Sequence, residues 1–200
     1  MRRRLILTSY GLTTVIGREL IRRKLKRDGN LEQRKIFLFH EPHYSVEKML
    51  VEACGMLGFQ RENVILSGQQ STKDDLTKMD YIYVTEGNTF EVLSLIRERN
   101  LVSVFREAFT NGATYIGASA GAMIAGSSIE EAKSFDLNFV RMTEYEGLGL
   151  FDGIIIPHYT KSELERYVKN SPGIEDKYST ILYVENDGVR ELVMEDDVDS

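Results

Sequence analysis

The chain has 200 residues, and its 25 basic against 31 acidic side chains give a formal charge of −6 at pH 7. This balance argues against a nucleic-acid-binding surface, the single cysteine excludes an internal disulfide, and no apolar run is long enough to span a membrane. We therefore expect a cytoplasmic enzyme or binding protein, folded as one domain over residues 1–200, with no membrane or nucleic-acid partner.

Short apolar strands alternate with amphipathic helices through the first half of the chain. Ser45 is a candidate cap for the second helix, and Gly58 is expected to end it. Such alternation is typical of parallel βαβ units. The pattern predicts strands at residues 5–8, 36–40, 63–66 and 81–84, and helices at residues 15–25, 46–57, 89–99 and 101–109.

The second half continues with fewer helices. A strand enters the glycine-rich stretch at residues 117–126, an irregular segment covers 127–150, and a strand at 153–157 precedes a helix at 162–170. The tail, 180–194, is predicted to form a hairpin that turns at Asn186–Gly188. Together these elements predict an α/β fold with a doubly wound, mostly parallel sheet, in which ligands bind beyond the carboxyl ends of the strands.

Gly117–Gly121 follows a predicted strand and has the form Gly-x-Ser-x-Gly, with Ser119 at its centre. This form is typical of a nucleophile elbow, in which the serine lies on a strained turn between a buried strand and a helix. A small-residue turn without chemistry fits the same five residues. The position of Ser119 directly behind a strand favours catalysis.

His158 directly follows the strand at 153–157, so it is expected at the same edge of the sheet as Ser119. A serine hydroxyl needs a base to take its proton, and imidazole suits that role. An acid should orient the imidazole. Asp136 in the irregular segment is the candidate, and the other acidic residues that share its freedom are Glu130, Glu131, Glu144 and Glu146.

Two backbone N–H groups are candidates for binding the oxyanion of an acyl-transfer reaction. Ala120 follows the nucleophile, and Gly87 lies in a turn from the strand at 81–84 into the next helix. An ordinary connection capped by Asn88 or Thr89 fits that turn equally well. His40 and His43 have an apparent metal spacing, but Pro42 between them disfavours a shared helical face. We expect them to be loop or rim residues and expect no metal site.

In these motifs the chain resembles the peptidase E (aspartyl dipeptidase) family of serine peptidases. The matching stretches, in this order, are residues 86–90, 117–122, 147–151 and 157–160. The resemblance implies a glutamine-amidotransferase-like (flavodoxin-like) fold, a Ser-His-acid site, and no metal or organic cofactor. It also implies hydrolysis of short peptides, typically dipeptides with an N-terminal aspartate. Ser119 would be the nucleophile, His158 the base and Asp136 the acid.

The chain departs from the family pattern in the turn before the helix at 89–99. The family usually has Gly-Gly-Gly-Asn there, whereas this chain has Thr85 and Glu86 in the first two positions. Asn88, Glu86 and Arg166 are the candidate substrate-binding residues. A carboxylate at Glu86 would bind a substrate amine or disfavour acidic substrates, so an aspartate preference does not follow.

Three functions remain open from the sequence. The first is a peptidase of small peptides. The second is a related serine hydrolase of other isopeptides or esters. The third is a non-catalytic ligand-binding domain on the same fold, which the Glu86 departure favours. A monomer and a homodimer fit the sequence equally well.

Overall fold

A six-stranded sheet forms the centre of the computed structural model, which describes residues 3–40, 45–68, 73–186 and 188–194. Its strands are β1 Arg3–Thr8, β2 Ile36–Phe39, β3 Val64–Leu66, β4 Tyr81–Val84, β5 Thr114–Ala118 and β8 Val189–Met194. Their order in the sheet is β3-β2-β4-β5-β1-β8, and all neighbours are parallel except β8, which runs antiparallel to β1 at the edge. This confirms the predicted mostly parallel sheet.

Helices cover both faces of this sheet. Within β1, Leu5 and Leu7 pack into one core and Ile6 packs into the other, as expected for a strand buried on both sides. The described ranges contain no helix long and apolar enough to cross a membrane. The helices are α1 Val15–Leu25, α2 Val46–Leu50, α3 Lys73–Thr77, α4 Thr89–Glu98, α5 Val102–Thr110, α6 Ala120–Met123, α7 Lys161–Asn170 and α8 Ile174–Lys177.

The helix predicted at residues 46–57 begins and ends as expected but changes form inside. The Ser45 hydroxyl accepts a hydrogen bond from the Lys48 N–H, and Gly58 ends the helix with a φ of 97°. From Val51 to Leu57 the backbone is a π-helix. The short helices α3 and α8 were not predicted, because four or five residues are too few to display a helical period.

A second, two-stranded sheet lies outside the main one. It consists of β6 (Ile154–Pro157) and β7 (Ile181–Val184), which run parallel to each other. The edge beside β1 is taken by β8, so the strand before His158 pairs with β7 instead of extending the main sheet. Ile155 nevertheless packs into the core that contains Leu5 and Leu7.

The tail contains the two strands expected of it. A hydrogen bond from the Gly188 N–H to the Glu185 carbonyl, 3.0 Å long, closes the turn between them. Asp187, in the middle of the predicted turn, lies outside the described residues. The two strands have different partners, because β7 pairs with β6 and β8 pairs with β1.

Candidate active site

Ser119 lies on a sharp turn between β5 and α6. Its φ of 47° and ψ of −106° are strained for a residue with a side chain, and its N–H donates to the Thr8 carbonyl at 2.9 Å. The flanking glycines are sterically required. A Cβ at Gly117 would lie 2.5 Å from the Gly121 carbonyl oxygen, and one at Gly121 would lie 2.3 Å from that of Val84. The Gly-x-Ser-x-Gly stretch therefore has the geometry of a nucleophile elbow.

The hydroxyl of Ser119 meets the imidazole of His158. Ser119 Oγ and His158 Nε2 are 2.9 Å apart, within hydrogen-bond distance. His158 directly follows β6 and has a φ of 65°. At this distance the imidazole can accept the hydroxyl proton and so act as a base toward the serine.

The backbone of His158 is held by Ser9, a residue that sequence reasoning missed. Ser9 Oγ accepts the His158 N–H at 2.9 Å and donates to the Val184 carbonyl at 2.8 Å. Ser9 has no solvent-exposed surface. One buried hydroxyl thus connects the carboxyl ends of β1, β6 and β7.

The imidazole of His158 lies in a half-buried position beside the Tyr10 ring, with the ring centroids 4.9 Å apart. Burial lowers the pKa of His158 below its ordinary value of 6.5. A side-chain hydrogen bond with Asn186 and the negative charges of Asp136 and Glu86 oppose this effect.

Asp136, the candidate acid, lies near His158 without hydrogen-bonding to it. Its Oδ2 accepts the backbone N–H of Thr89 at 2.9 Å, and within the described part of the chain it makes no hydrogen bond to the imidazole. Its charge nevertheless raises the pKa of His158. Its role as the triad acid therefore stays a prediction, and the ring hydrogen bond involves Asn186 instead.

Three of the alternative acids are engaged elsewhere. Glu130 forms ion pairs with two lysines, Glu131 accepts a hydrogen bond from a tyrosine hydroxyl, and Glu146 pairs with an arginine. These contacts join the irregular segment to neighbouring helices. Among the candidate acids of this segment, Asp136 is the one whose charge raises the pKa of His158. The partners are Lys133 and Lys177 for Glu130, Tyr167 for Glu131, and Arg106 for Glu146.

The two candidate oxyanion donors lie on turns at the same edge of the sheet. Ala120 is the first residue of α6, so its N–H has no acceptor inside the helix. Gly87 has a φ of 148°, which a side chain would disfavour. Asn88 caps α4, because its Oδ1 accepts two N–H groups of the first turn, and its Nδ2 donates to the Leu137 carbonyl at 2.9 Å.

The other two candidate substrate-binding residues lie in contrasting surroundings. The carboxylate oxygens of Glu86 are inaccessible to solvent and have no hydrogen-bond partner among the described residues. Arg166 lies on an exposed part of α7, in a surface cleft beside Tyr159 and Glu163. The structure thus brings Glu86 close enough to act on His158, whereas Arg166 lines a separate cleft.

The remaining histidines stand apart from this arrangement. His40 is buried after β2, and its N–H donates to the Ser67 hydroxyl at 3.1 Å. His43 lies outside the described residues. Over the part of the chain that the structure describes, no three His, Cys, Asp or Glu side chains are grouped as metal ligands would be.

The residues that sequence reasoning missed share one property. Ser9 and Tyr10 follow β1, and Asn186 follows β7, so all three lie beyond the carboxyl ends of strands. The rule that drew attention to Ser119 and His158 applies to them equally. A search of every strand end would have found them, although it could not have assigned their contacts.

Comparisons with known proteins show which family the chain belongs to. The model of peptidase family S51 matches residues 40–197. Peptidase E of Haemophilus influenzae is 31% identical over 138 residues, which cover 69% of this chain and 61% of the relative. The uncharacterized peptidase Lmo0363 of Listeria monocytogenes is 35% identical over 118 residues, covering 58% of this chain and 57% of the relative. The matched part of the chain thus spans about three fifths of these relatives.

A solved structure supports the fold. The crystal structure of a Listeria monocytogenes EGD-e protein named for peptidase E superposes with a TM-score of 0.68 at 24% identity. The superposition covers 98% of this chain and 100% of that chain. At this identity the likeness concerns the fold alone, whereas the family match extends over most of the sequence. The resemblance to peptidase E is confirmed, and the chain belongs to peptidase family S51.

Proposed function

We propose that this chain is a serine peptidase that hydrolyses short peptides through an acyl-enzyme. The contact that carries the proposal is the 2.9 Å approach of Ser119 Oγ to His158 Nε2 on a nucleophile elbow. Membership of peptidase family S51 supports the same reaction class. The substrate is a peptide and the site needs no cofactor for this chemistry.

The first step is the transfer of a proton from Ser119 to His158. The pKa of His158 is lowered by burial, so the imidazole is neutral at neutral pH and able to act as a base. As the proton moves to Nε2, Ser119 Oγ attacks the peptide carbonyl carbon. The carbonyl oxygen becomes an oxyanion held by the N–H groups of Ala120 and Gly87.

The second step releases the amine and the acyl group. His158 gives its proton to the leaving nitrogen, and the acyl group remains as an ester on Ser119. Water then attacks this ester, with His158 again taking a proton. The products are the free acid and the amine, and Ser119 regains its hydroxyl.

The imidazolium formed between these steps is stabilised from three directions. The hydrogen bond with Asn186 and the charges of Asp136 and Glu86 each favour protonated His158. In this proposal Asp136 acts as the acid through its charge, because its Oδ2 is hydrogen-bonded to the Thr89 N–H. Asn186 holds the ring in the orientation that presents Nε2 to Ser119.

The restriction to short peptides rests on the resemblance to peptidase E and on the position of the site. Ser119 and His158 lie among loops at the strand ends, with Tyr10 against the imidazole. Such a site accepts a peptide end more readily than the middle of a folded chain. Glu86, Asn88 and Arg166 stay the proposed substrate-binding residues, although Asn88 caps α4 and Arg166 lines a separate cleft, so either would have to bind a part of the peptide away from the scissile bond.

The strongest alternative is a ligand-binding domain without catalysis, which the buried carboxylate of Glu86 favours. A fluorophosphonate probe separates the two functions, because it labels only a serine that an adjacent base activates. We expect labelling of the wild type, none of Ser119→Ala, and unchanged labelling of the exposed-serine control Ser179→Ala. Absence of labelling, or labelling that persists in Ser119→Ala, would reject the peptidase.

A panel of dipeptides then tests the substrate. We expect hydrolysis of dipeptides and no cleavage of a denatured protein of comparable composition. Esters and isopeptides in the same panel test the related serine hydrolases. Cleavage of long chains without cleavage of dipeptides would overturn the proposed substrate class while leaving the serine chemistry intact.

A further inference from the structure

An exposed apolar loop lies beside the proposed reacting groups. Residues 135–140 contain four large apolar side chains that solvent reaches, and two of them, Leu137 and Phe139, are 68% and 74% exposed. The other two are Phe135 and Val140. Exposed apolar side chains are ordinary where they are scattered, but a group of them marks a surface that binds a ligand or a partner. Residues 135–140, the apolar loop, are therefore a candidate binding surface.

Hydrogen bonds hold the apolar loop in a fixed conformation. The Asp136 N–H donates to the Ala132 carbonyl at 2.8 Å. The Asn138 side chain donates to the Met142 carbonyl and accepts the Met142 N–H, each at 2.8 Å. The apolar side chains are thus presented to solvent by an ordered backbone, and a surface that is already ordered loses little conformational freedom when it binds.

The apolar loop is attached to the turn that carries Gly87, the proposed oxyanion donor. Asn88, which directly follows Gly87, donates from Nδ2 to the Leu137 carbonyl at 2.9 Å. The next residue, Thr89, donates its N–H to Asp136 Oδ2 at 2.9 Å. Two neighbouring residues of the loop are therefore bound to two neighbouring residues of this turn.

The apolar loop also contacts the segment that follows His158, the proposed base. The ring of Phe135 packs against that of Tyr159, the residue after His158, with the ring centroids 5.5 Å apart. Phe135 and Leu137 are two residues apart, so their Cα atoms are separated by about 7 Å at most. The loop thus crosses between the two turns whose groups would act on a substrate carbonyl. Its exposed side chains are within reach of the residues that flank that carbonyl.

Two occupants would suit an apolar surface of this kind, a substrate side chain and a second copy of this chain. The attachment of the loop to both turns favours the substrate, because it fixes the apolar side chains relative to the proposed reacting groups. Leu137 and Phe139 are also accessible from the solvent through which a peptide arrives.

We infer that the apolar loop selects peptides in which a residue flanking the scissile bond has an apolar side chain, with Leu137 and Phe139 as the specificity-determining residues. The inference rests on the proposed peptidase function and names its substrate class. Removal of an apolar side chain from water is favourable, whereas burial of a polar one without hydrogen bonds is not. The preference should therefore be measurable between side chains of nearly equal size.

The test compares leucine with asparagine, a polar residue of nearly equal shape, on each side of the scissile bond. The substrates are alanyl-leucine, alanyl-asparagine, leucyl-alanine and asparaginyl-alanine. We measure kcat/KM for the wild type, Leu137→Asn, Phe139→Asn and the control Val193→Thr. Val193 is an exposed apolar residue of β8 that pairs with Arg4, near the amino end of β1 and thus at the opposite end of the strands from Ser119. Thermal unfolding and the oligomeric state of each variant are measured in parallel.

We expect the wild type to prefer leucine over asparagine by about tenfold in at least one of the two positions. Leu137→Asn or Phe139→Asn should reduce that preference to about twofold or less, with unchanged unfolding temperatures because both side chains are exposed. Val193→Thr should keep the wild-type preference.

Three results would overturn the inference. The first is a wild type without the preference, or a preference that neither Leu137→Asn nor Phe139→Asn changes. The second is an equal loss of kcat/KM on leucine and asparagine substrates. The third is a dimer that either variant dissociates, since the apolar loop would then bind a second copy.

Failure of the inference can be told apart from failure of the peptidase proposal. Labelling of Ser119 by a small neutral fluorophosphonate needs no apolar residue beside the reacting group, so it tests only the proposed function. Binding of the same four dipeptides to Ser119→Ala, measured by calorimetry, tests only the apolar preference and requires no cleavage. If the leucine dipeptides bind no more tightly than the asparagine dipeptides, the inference is wrong even where labelling succeeds. If they bind more tightly and Ser119 is not labelled, the apolar site stands and the peptidase is rejected.

Discussion

Replacing Ser9 with alanine removes a side chain that joins the ends of three strands. Its hydroxyl accepts the His158 N–H at 2.9 Å and donates to the Val184 carbonyl at 2.8 Å, and Ser9 has no exposed surface. The variant leaves a buried donor and a buried acceptor without partners, each costing about 1–3 kcal/mol. We expect the free energy of unfolding to fall by about 2–6 kcal/mol, and Tm by about 4–24 °C for a chain of this size.

The same change should slow the chemistry more than a general loss of stability would. His158 has a φ of 65°, a strained conformation for which the Ser9 hydroxyl provides a hydrogen bond. Without it, the backbone is free to relax and to move Nε2 from its place 2.9 Å from Ser119 Oγ. A displacement of about 1 Å at reacting atoms costs about 100-fold in rate, so labelling by a fluorophosphonate should slow by about 10- to 100-fold.

The assay pairs urea unfolding with labelling rates at a temperature where every variant is folded. Ser179→Ala is the matched control, because Ser179 also donates a 2.8 Å hydrogen bond, to the Asp152 carbonyl, from an exposed position. It should lose less than about 0.5 kcal/mol and label at the wild-type rate. If Ser9→Ala behaves like this control, the hydroxyl neither stabilises the strand ends nor positions His158.

Three further predictions concern the base and the elbow. Burial lowers the pKa of His158, and the neutral imidazole is the reactive form. The labelling rate should therefore fall as the pH is lowered, with a midpoint below pH 6.5, and a midpoint above 6.5 would contradict this. Gly121→Ala places a Cβ 2.3 Å from the Val84 carbonyl oxygen and should lower the free energy of unfolding by about 3 kcal/mol or more. Gly55→Ala, with no atom within 4 Å, should change it by less than about 1 kcal/mol in the same urea titration. Ser119→Gly should be about 1 kcal/mol more stable than Ser119→Ala, because glycine tolerates a φ of 47°; equal stabilities would show that the elbow is unstrained.

Local patterns predicted the elements that bury apolar side chains. The strands around Leu5–Leu7 and Tyr81–Val84 were expected because their apolar runs are bounded by turns, and the helix from Ser45 to Gly58 because it has a cap and a terminator. Helices α3 and α8 were missed, since each has a single buried residue, Leu76 or Ile174. A period cannot be read from one position.

The partners of the imidazole could not be predicted in the same way. Asp136 is the acid expected from the sequence, because its segment is free to fold back toward the histidine. Its Oδ2 instead accepts the Thr89 N–H, and the side chain that raises the pKa of His158 by hydrogen bonding is that of Asn186. Both contacts depend on the course that irregular segments of the chain take between distant strands and helices. Residue spacing and hydrophobic periodicity in the sequence do not predict that course.

The sequence by itself determined that glycines surround Ser119 and that a histidine follows a later strand, because sterics at a tight turn and the ends of apolar runs are local properties. Only the tertiary structure decided that β6 pairs with β7 instead of joining the main sheet, and that the buried hydroxyl of Ser9 holds His158. Strand pairing and long-range hydrogen bonds are set by how all the elements pack together, so no single stretch of the chain contains them.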